Sequence, residues 1–482
     1  MNPYQTIELD RDKKEHLYLQ LFKALEVMIA SGRLRPHTKL PPIRKLAELL
    51  DVNNVTIVNA YKLLEEGGLV YKKVGSGTFV TPKEEEIEDL NDKLKQAAEM
   101  SFAQSSPTAD LFPVADFKMV LNEVLDRDKG KAFGYQASWG FSPLRESVVD
   151  YLKDSKIYVD PDVIQVISGA QQGIDIVSKA ILNYGDYVLV EAPSYTGAIA
   201  AFKMKGANII EVPMTQDGIH LEAFKEAVKK YKPKLFYTMP NLHNPTGYTY
   251  SQEKKEAVLE VASENRMWVL EDDYASDLFF YEEEEAEGKS LKSMDRFDRV
   301  IYIKSFSKIY MPGLRLGFMA APKRLGQELV VAKHITDIST SGLIQRAFDL
   351  YLRRGLWKKQ IESMRDIFKK RYDTAVEAIN AYMPADCSYH QPEGGLNFWI
   401  EMPAYLNADS FAQFALSQGI EIIPGSAFYF AQGKSNCFRI SVAGVYLENI
   451  DNWIMKLMQV LDAYIVSHSD RDGRGNEFLP VL

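Results

Sequence analysis

Cysteine is almost missing from this sequence: 482 residues hold two, Cys387 and Cys437. Two thiols build no disulfide framework and their spacing suits no metal, so a disulfide-stapled secreted scaffold is excluded. Histidine is sparse as well, with seven scattered residues, and His243 alone falls near a motif. No metal site is expected. No apolar run approaches the roughly 20 residues that cross a bilayer, and the charged N-terminal stretch lacks the apolar core of a signal peptide. These absences leave the expectation of a cytoplasmic protein with no membrane partner. A strong charge of one sign is missing too. The net charge of -9 is uneven, with 12 Lys+Arg against 9 Asp+Glu in residues 1–80 and 45 against 57 in the rest. A basic head on an acidic body permits nucleic-acid binding by the head, but so small an excess needs a motif beside it. Apolar residues are plentiful at 46%, enough for large cores in two or three domains.

The head, residues 1–80, reads as three helices and a hairpin. Tyr18, Leu21, Phe22, Leu25, Met28 and Ile29 recur at helical spacing, and Gly32 with Pro36 marks the stop. A second helix follows Pro41-Pro42 with Ile43, Leu46, Ala47 and Leu50 on one face. After the polar turn Asp51-Val52-Asn53-Asn54, Ile57, Ala60, Tyr61 and Leu64 define a third, ended by Gly67-Gly68. Leu69 to Tyr71 and Thr78 to Val80 flank Gly75-Ser76-Gly77 as a β-hairpin. That is a winged helix-turn-helix, mostly α with a hairpin. Its third helix would enter the major groove of double-stranded operator DNA with Asn53, Asn54, Thr56 and Asn59 near its start. Arg44, Lys72 and Lys73 would reach phosphates and fix register. The bland alternative is a small helical dimerisation module with a solvated polar face.

Residues 81–100, rich in Glu, Asp, Lys and Gln, form a solvated helix or tether and mark a boundary. From residue 101 to about 465 short apolar runs alternate with amphipathic helices. The strand candidates are 163–168, 187–192, 208–213, 234–239, 267–271, 299–304 and 314–321, a pattern that predicts a mostly parallel, doubly covered sheet. The polar stretch 466–482 reads as a mobile tail.

Chemistry gathers where these strands end. Ser305-Phe306-Ser307-Lys308 closes one strand, and Arg315 follows shortly. A desolvated lysine can form a Schiff base, an arginine can grip a phosphate bidentately, and two hydroxyls can bond its other oxygens. The set suits an aldehyde-bearing, phosphorylated cofactor. Alone it also reads as a strand ending in surface residues. Ser168-Gly169-Ala170-Gln171-Gln172-Gly173 joins a strand to a helix whose positive end can approach a phosphate. Tyr195 could stack on a flat ring, and Asn244, in Asn244-Pro245-Thr246-Gly247, could donate to a ring oxygen. Asp272, in Glu271-Asp272-Asp273-Tyr274, suits a pyridinium nitrogen, while Asp273 also reads as a helix cap.

The head resembles the GntR family of bacterial regulators through Gly32-Arg33-Leu34-Arg35-Pro36, Arg44-Lys45-Leu46-Ala47, Thr56 to Tyr61 and Gly75 to Val80. It departs at Pro42, where the family usually has Ser or Thr, and at Asn53-Asn54, where Ser-Arg is common. Asparagine can still read adenine bidentately. The order of the body's loops, with Arg439 in Phe438-Arg439-Ile440-Ser441, resembles fold-type I, class I/II aminotransferases that use pyridoxal 5′-phosphate. That resemblance implies an α/β fold-type I transferase body with a smaller α+β C-terminal subdomain. It implies that Lys308 holds the aldehyde, Asp272 pairs with the ring nitrogen, Asn244 and Tyr274 bond the ring hydroxyl, and Tyr195 stacks on the ring. Ala170, Gln171, Ser305, Ser307 and Arg315 would hold the phosphate, and Arg439 the α-carboxylate of an amino acid. Lys308, Asp272 and Tyr195 are then the catalytic candidates. Tyr135 would reach the phosphate of a neighbouring subunit, which implies a homodimer. Gln104-Ser105-Ser106-Pro107 departs from the Gly-Gly-x-Pro of working enzymes, so the pocket wall is altered, and Trp139 is expected to narrow its entrance. Head and body together resemble the MocR/GabR-type subfamily of GntR regulators. The expected function is a transcriptional regulator that senses pyridoxal phosphate or an amino acid effector. The alternatives are an active aminotransferase with an accessory head and a DNA-binding protein whose body is a scaffold.

Overall fold

The computed structural model describes residues 4, 7, 9–11, 16–30, 33–34, 38–67, 69–73, 77–80, 98–280, 290–308, 310–431, 433 and 435–469. They fall in two units, Met1–Ala97 and Ala98–Leu482.

In the first unit, helix α1 (Leu17–Ala30) has no Gly or Pro, and Leu21, Leu25, Met28 and Ile29 bury one face. Helix α2 (Ile43–Leu50) starts after Pro42 and stops at Asp51, whose φ of 51° breaks the helix. Helix α3 (Asn54–Glu66) starts one residue earlier than the polar turn suggests. Asn53 caps it, its Oδ1 accepting the Val55 amide at 3.0 Å. Ile57, Ala60, Tyr61 and Leu64 of α3 are buried, and the Tyr61 hydroxyl donates to the Pro41 carbonyl at 2.8 Å. Strands β1 (Val70–Lys73) and β2 (Gly77–Val80) pair antiparallel, Val70 opposite Val80. Leu40 donates to the Thr78 carbonyl at 2.8 Å, which ties the hairpin to the chain before α2. The expected turn at Gly75-Ser76 lies outside the described residues.

The second unit begins with β3 (Met100–Ser101). Its large sheet contains β4 (Ile164–Ile167), β5 (Tyr187–Ala192), β6 (Asn208–Thr215), β7 (Gly218–Ile219), β8 (Leu235–Thr238), β9 (Trp268–Asp273), β10 (Val300–Ser305) and β11 (Gly317–Ala320). The order is β4-β11-β10-β9-β8-β5-β6-β7. Strands β10, β9, β8, β5 and β6 run parallel, while β11 is antiparallel to both neighbours. The residues of β4, β8, β10 and β11 are all buried, which explains their unbroken apolar runs. Parallel strands bring their C-terminal ends to one edge, and the functional loops leave from there.

A smaller antiparallel sheet contains β12 (Ser388–Tyr389), β13 (Asn397–Glu401), β15 (Ile423–Pro424) and β16 (Cys437–Ser441), in the order β12-β13-β16-β15. It shares a core with the helices Leu356–Tyr382 and Leu447–Ser469, in which Phe368, Phe398, Phe438 and Ile454 meet. Strand β3 pairs with β14 (Ile420–Glu421), and Phe102 is tied on both sides, donating to the Glu421 carbonyl and accepting from Ser441. Two expectations change here. Met100, assigned to the tether, is buried in β3. Residues 466–469, assigned to the tail, are helical, because Leu461, Tyr464 and Ile465 extend the apolar stripe of the last helix. Residues 81–97 and 470–482 lie outside the described residues.

Candidate functional site

A cavity of about 550 Å³ opens at the C-terminal ends of the parallel strands. A broader hollow of about 830 Å³ runs along the exposed side of the helix Val114–Asp128, but no convergent chemistry lines it. In the first cavity, residues far apart in the sequence meet.

Past β4, Gly169 takes a φ of 92° and leads into helix α4 (Ala170–Ile181). A side chain at Gly169 would put its Cβ 2.9 Å from an Arg315 terminal nitrogen, so glycine lets the guanidinium lie against this loop. Arg315 Nη2 donates to the Ser168 carbonyl at 3.0 Å. Ala170 and Gln171, in the first turn of α4, line the cavity, where helix amides lack intrahelical partners. Strand β10 delivers Ser305 to the same wall. Its hydroxyl donates to Ser307 Oγ at 3.1 Å and accepts the Ser307 amide at 3.3 Å. The backbone of Lys308 closes the 3-10 turn Phe306–Lys308, and its side chain falls outside the described residues.

Strand β9 ends in three consecutive buried acids that alternate in direction. Glu271 accepts the amides of Leu291 and Lys292, each at 2.8 Å, and burial pushes it up to about 8. Asp273 accepts from the Tyr302 hydroxyl at 2.5 Å and from the Ser276 amide and hydroxyl, so its capping role is present. It also faces Lys304, which pairs more closely with Asp277 at 2.6 Å. Burial raises Asp273, but Lys304 and these donors outweigh it and hold the carboxyl below its ordinary value. Asp272 differs. Its Oδ2 accepts from the Tyr237 hydroxyl at 2.8 Å, and its Oδ1 has no partner among the described residues. Burial pushes Asp272 up to about 7 against the pull of the Tyr237 bond, with Asp273 and Glu191 adding to the rise.

On the opposite wall, Arg439 of β16 is buried, and burial lowers it to about 10. Its Nη1 donates to Asn244 Oδ1 at 3.0 Å and its Nη2 to the Ala103 carbonyl at 2.7 Å, while Nε has no partner among the described residues. With its oxygen taken, Asn244 turns its amide nitrogen to other uses. Tyr274 lines the cavity but donates to the Leu242 carbonyl at 2.6 Å and accepts from Asn397 Nδ2 at 3.1 Å. A bond from Tyr274 to a ring hydroxyl would require that proton to leave Leu242. Tyr195 caps the helix Thr196–Met204 and borders the cavity, and burial, then Asp272, raises its phenol.

Ser105 and Ser106 form part of the wall, as the altered motif suggests, beside Ile423, Ala427 and Phe428. Trp139 does not narrow the entrance. Its ring packs on Gly326, outside the cavity, and Phe428 lines the wall instead. Tyr135 lies outside the cavity and is 87% exposed. Sequence reasoning missed Tyr237, Phe428 and the Ala103 carbonyl. A tyrosine inside a fully buried strand was the signal for the first, because a buried hydroxyl needs a partner.

In the head, Arg44 and Asn54 are exposed and Thr56 and Asn59 half-buried, while Asn53 spends its oxygen on the cap. Lys72 and Lys73 lie on β1, with side chains outside the described residues. Val55 and Val58, not singled out from the sequence, are exposed on α3.

Known proteins resemble both units. The aminotransferase class I and II family matches residues 100–457, and the gntR family of bacterial regulatory proteins matches residues 17–80. An uncharacterized HTH-type transcriptional regulator of Bacillus subtilis, YdfD, is 28% identical over 470 residues, which span 92% of this chain and 96% of that one. The 2-aminoadipate transaminase of Thermus thermophilus is 33% identical over 366 residues, 75% of this chain and 90% of that one. The crystal structure of LysN, an alpha-aminoadipate aminotransferase of the same organism complexed with N-(5′-phosphopyridoxyl)-L-leucine, aligns with a TM-score of 0.72 at 31% identity, over 78% of this chain and 95% of that one.

Proposed function

The chain belongs to the class I and II aminotransferase family and carries a gntR-family regulatory head, and from that membership we propose a DNA-binding regulator that senses pyridoxal 5′-phosphate, or an amino acid that reacts with it, in its body. Pyridoxal 5′-phosphate is the cofactor that this fold accepts. One observation carries the reading. Of three adjacent buried acids, Asp272 alone presents a bare oxygen, and it lines the cavity. A buried carboxylate without a partner is costly unless a cation or an N–H donor meets it. A protonated ring nitrogen supplies both.

The other groups fit the same ligand. Arg315, Ser305, Ser307 and the first turn of α4 take the phosphate, and Tyr195 covers the ring face. The Asn244 amide donates to the ring oxygen, and Lys308 bonds the aldehyde. The bound cofactor supplies an aldehyde and an electron-withdrawing ring. Arg439 takes the α-carboxylate of an incoming amino acid, whose oxygens must compete with the Ala103 carbonyl and Asn244. Ala103 follows β3 and the tether, so occupancy of Arg439 alters the segment from which the chain leads to the head. An effector acts in this way only through a difference in affinity between two states. Tyr135, exposed and absent from its own cavity's lining, serves the phosphate of a second copy, and the working form is a homodimer in the cytoplasm, with operator DNA as its partner.

The described cavity residues, and 33% identity to a transaminase, favour turnover as the second reading. The test supplies candidate amino acids with 2-oxoglutarate and follows keto-acid release beside binding to DNA selected from random duplexes. A regulator shows an amino-acid-dependent change in DNA affinity, worth about 1–3 kcal/mol, with little keto acid. Turnover at about 1 per second or faster, with DNA binding indifferent to the amino acid, reverses the ranking.

A further inference from the structure

Tyr237 is fully buried on β8 and donates its hydroxyl to Asp272 Oδ2 at 2.8 Å. The register explains the contact. Tyr237 sits opposite Leu270, and Asp272 lies two residues further along β9, on the same face. The ring is held edge-on against Phe202, with centroids 5.8 Å apart, so the hydroxyl has little freedom. No other donor reaches Asp272 among the described residues. We propose that Tyr237 is a positioning residue: by holding one oxygen of Asp272 it aims the bare oxygen at the ring nitrogen and keeps the shared proton on the ring. This rests on the reading of the cavity as a pyridoxal phosphate site.

A carboxyl held only at the ring nitrogen can rotate about its terminal torsion, and the Tyr237 bond removes that freedom. The same bond favours the ionised carboxylate. Burial, then Asp273 and Glu191, push Asp272 toward the protonated form, and Lys304 opposes them. Without the Tyr237 hydroxyl the balance tips toward a protonated Asp272 and an unprotonated ring.

The experiment uses Tyr237→Phe in the full-length protein, which removes one oxygen and keeps the ring. Binding of pyridoxal 5′-phosphate is measured by equilibrium dialysis. The protonation of its ring nitrogen is followed by 15N NMR with labelled cofactor. The expected result is about ten- to a hundredfold weaker binding, from loss of a bond to a charged group. The 15N signal moves toward the unprotonated position. Asp272→Asn should do the same, and Tyr237→Phe added to it should change binding less than about twofold, because the two act as a unit. An unchanged 15N signal in Tyr237→Phe, or full additivity in the double variant, overturns the proposal. If the phenylalanine variant fails to fold, p-aminophenylalanine at position 237, a weaker donor of nearly the same shape, must move the signal in the same direction. A signal that stays put overturns the proposal too. Wild-type protein that binds no cofactor overturns the functional reading itself, a separate outcome.

Discussion

Arg439 ties the Ala103 carbonyl, at 2.7 Å, to the Asn244 side chain, at 3.0 Å, through one guanidinium. The segment that enters the body is thus joined to the Asn-Pro-Thr-Gly loop across the cavity.

Removing the guanidinium should cost both stability and response. Arg439→Ala leaves a buried carbonyl and a side-chain amide unpaired, which should cost about 2–4 kcal/mol in denaturant unfolding. Arg439→Lys should keep the charge but lose the fork. In both variants the spectral response to amino acids should weaken at least tenfold while cofactor still binds. A full-strength response in Arg439→Ala would move the carboxylate site elsewhere.

Lys308→Ala should leave the fold and abolish the covalent link to cofactor. The check is mass spectrometry after borohydride reduction. A cofactor still attached to a lysine of this variant would sink the assignment.

Stability without cofactor should depend on pH through Asp272. Its folded value of about 7 lies above the ordinary 3.8, so the folded chain binds the extra proton. The resulting stabilisation is complete below the unfolded value and is lost at up to about 1.4 kcal/mol per unit as pH rises from about 4 to about 7, where the loss levels off. Glu271, near 8, acts in the same direction. Asp272→Asn should therefore flatten the pH dependence of unfolding between about 4 and 7. Saturation with cofactor should flatten it as well, because ring pairing keeps Asp272 ionised. An equal slope in Asp272→Asn and wild type would exclude this origin.

Arg44→Ala should weaken binding to all DNA sequences alike and lower the salt slope by about one unit. Asn54→Ala should instead change which bases are preferred in a selection experiment. A uniform loss from Asn54→Ala would misplace the reading face of α3.

Much of this was legible in the sequence because period and punctuation carried it. The seven strand candidates correspond to β4, β5, β6, β8, β9, β10 and β11, since strands deep in a covered sheet carry short apolar runs between Gly- and Pro-marked loops. The cavity gathers Ala170, Gln171, Tyr195, Asn244, Asp272, Tyr274, Ser305, Ser307, Arg315 and Arg439, all but Arg439 from the ends of the large sheet's strands or the loops and turns next to them. Direction and partnership were not legible. Asp272 and the capping Asp273 were separated in the sequence, but the physical reason was not: alternation points Asp272 at the cavity and its neighbours at Lys304 and the Leu291 amide. The capping role of Asn53 was not singled out, because a capping asparagine and a reading one share the start of a helix. Trp139 was misplaced because its ring reaches Gly326, far along the chain.

The pairing of β3 with β14, fastened by Phe102, has a mechanical consequence. Strand β3 leads through Phe102 to the Ala103 carbonyl that Arg439 holds at the pocket wall, and the coupling proposed above would run both ways. Whatever factor an amino acid applies to DNA affinity, bound DNA must apply to amino-acid affinity. A protein parked on its operator would then read a different concentration range of effector from one free in the cell, and titrations with and without the selected duplex would measure the offset.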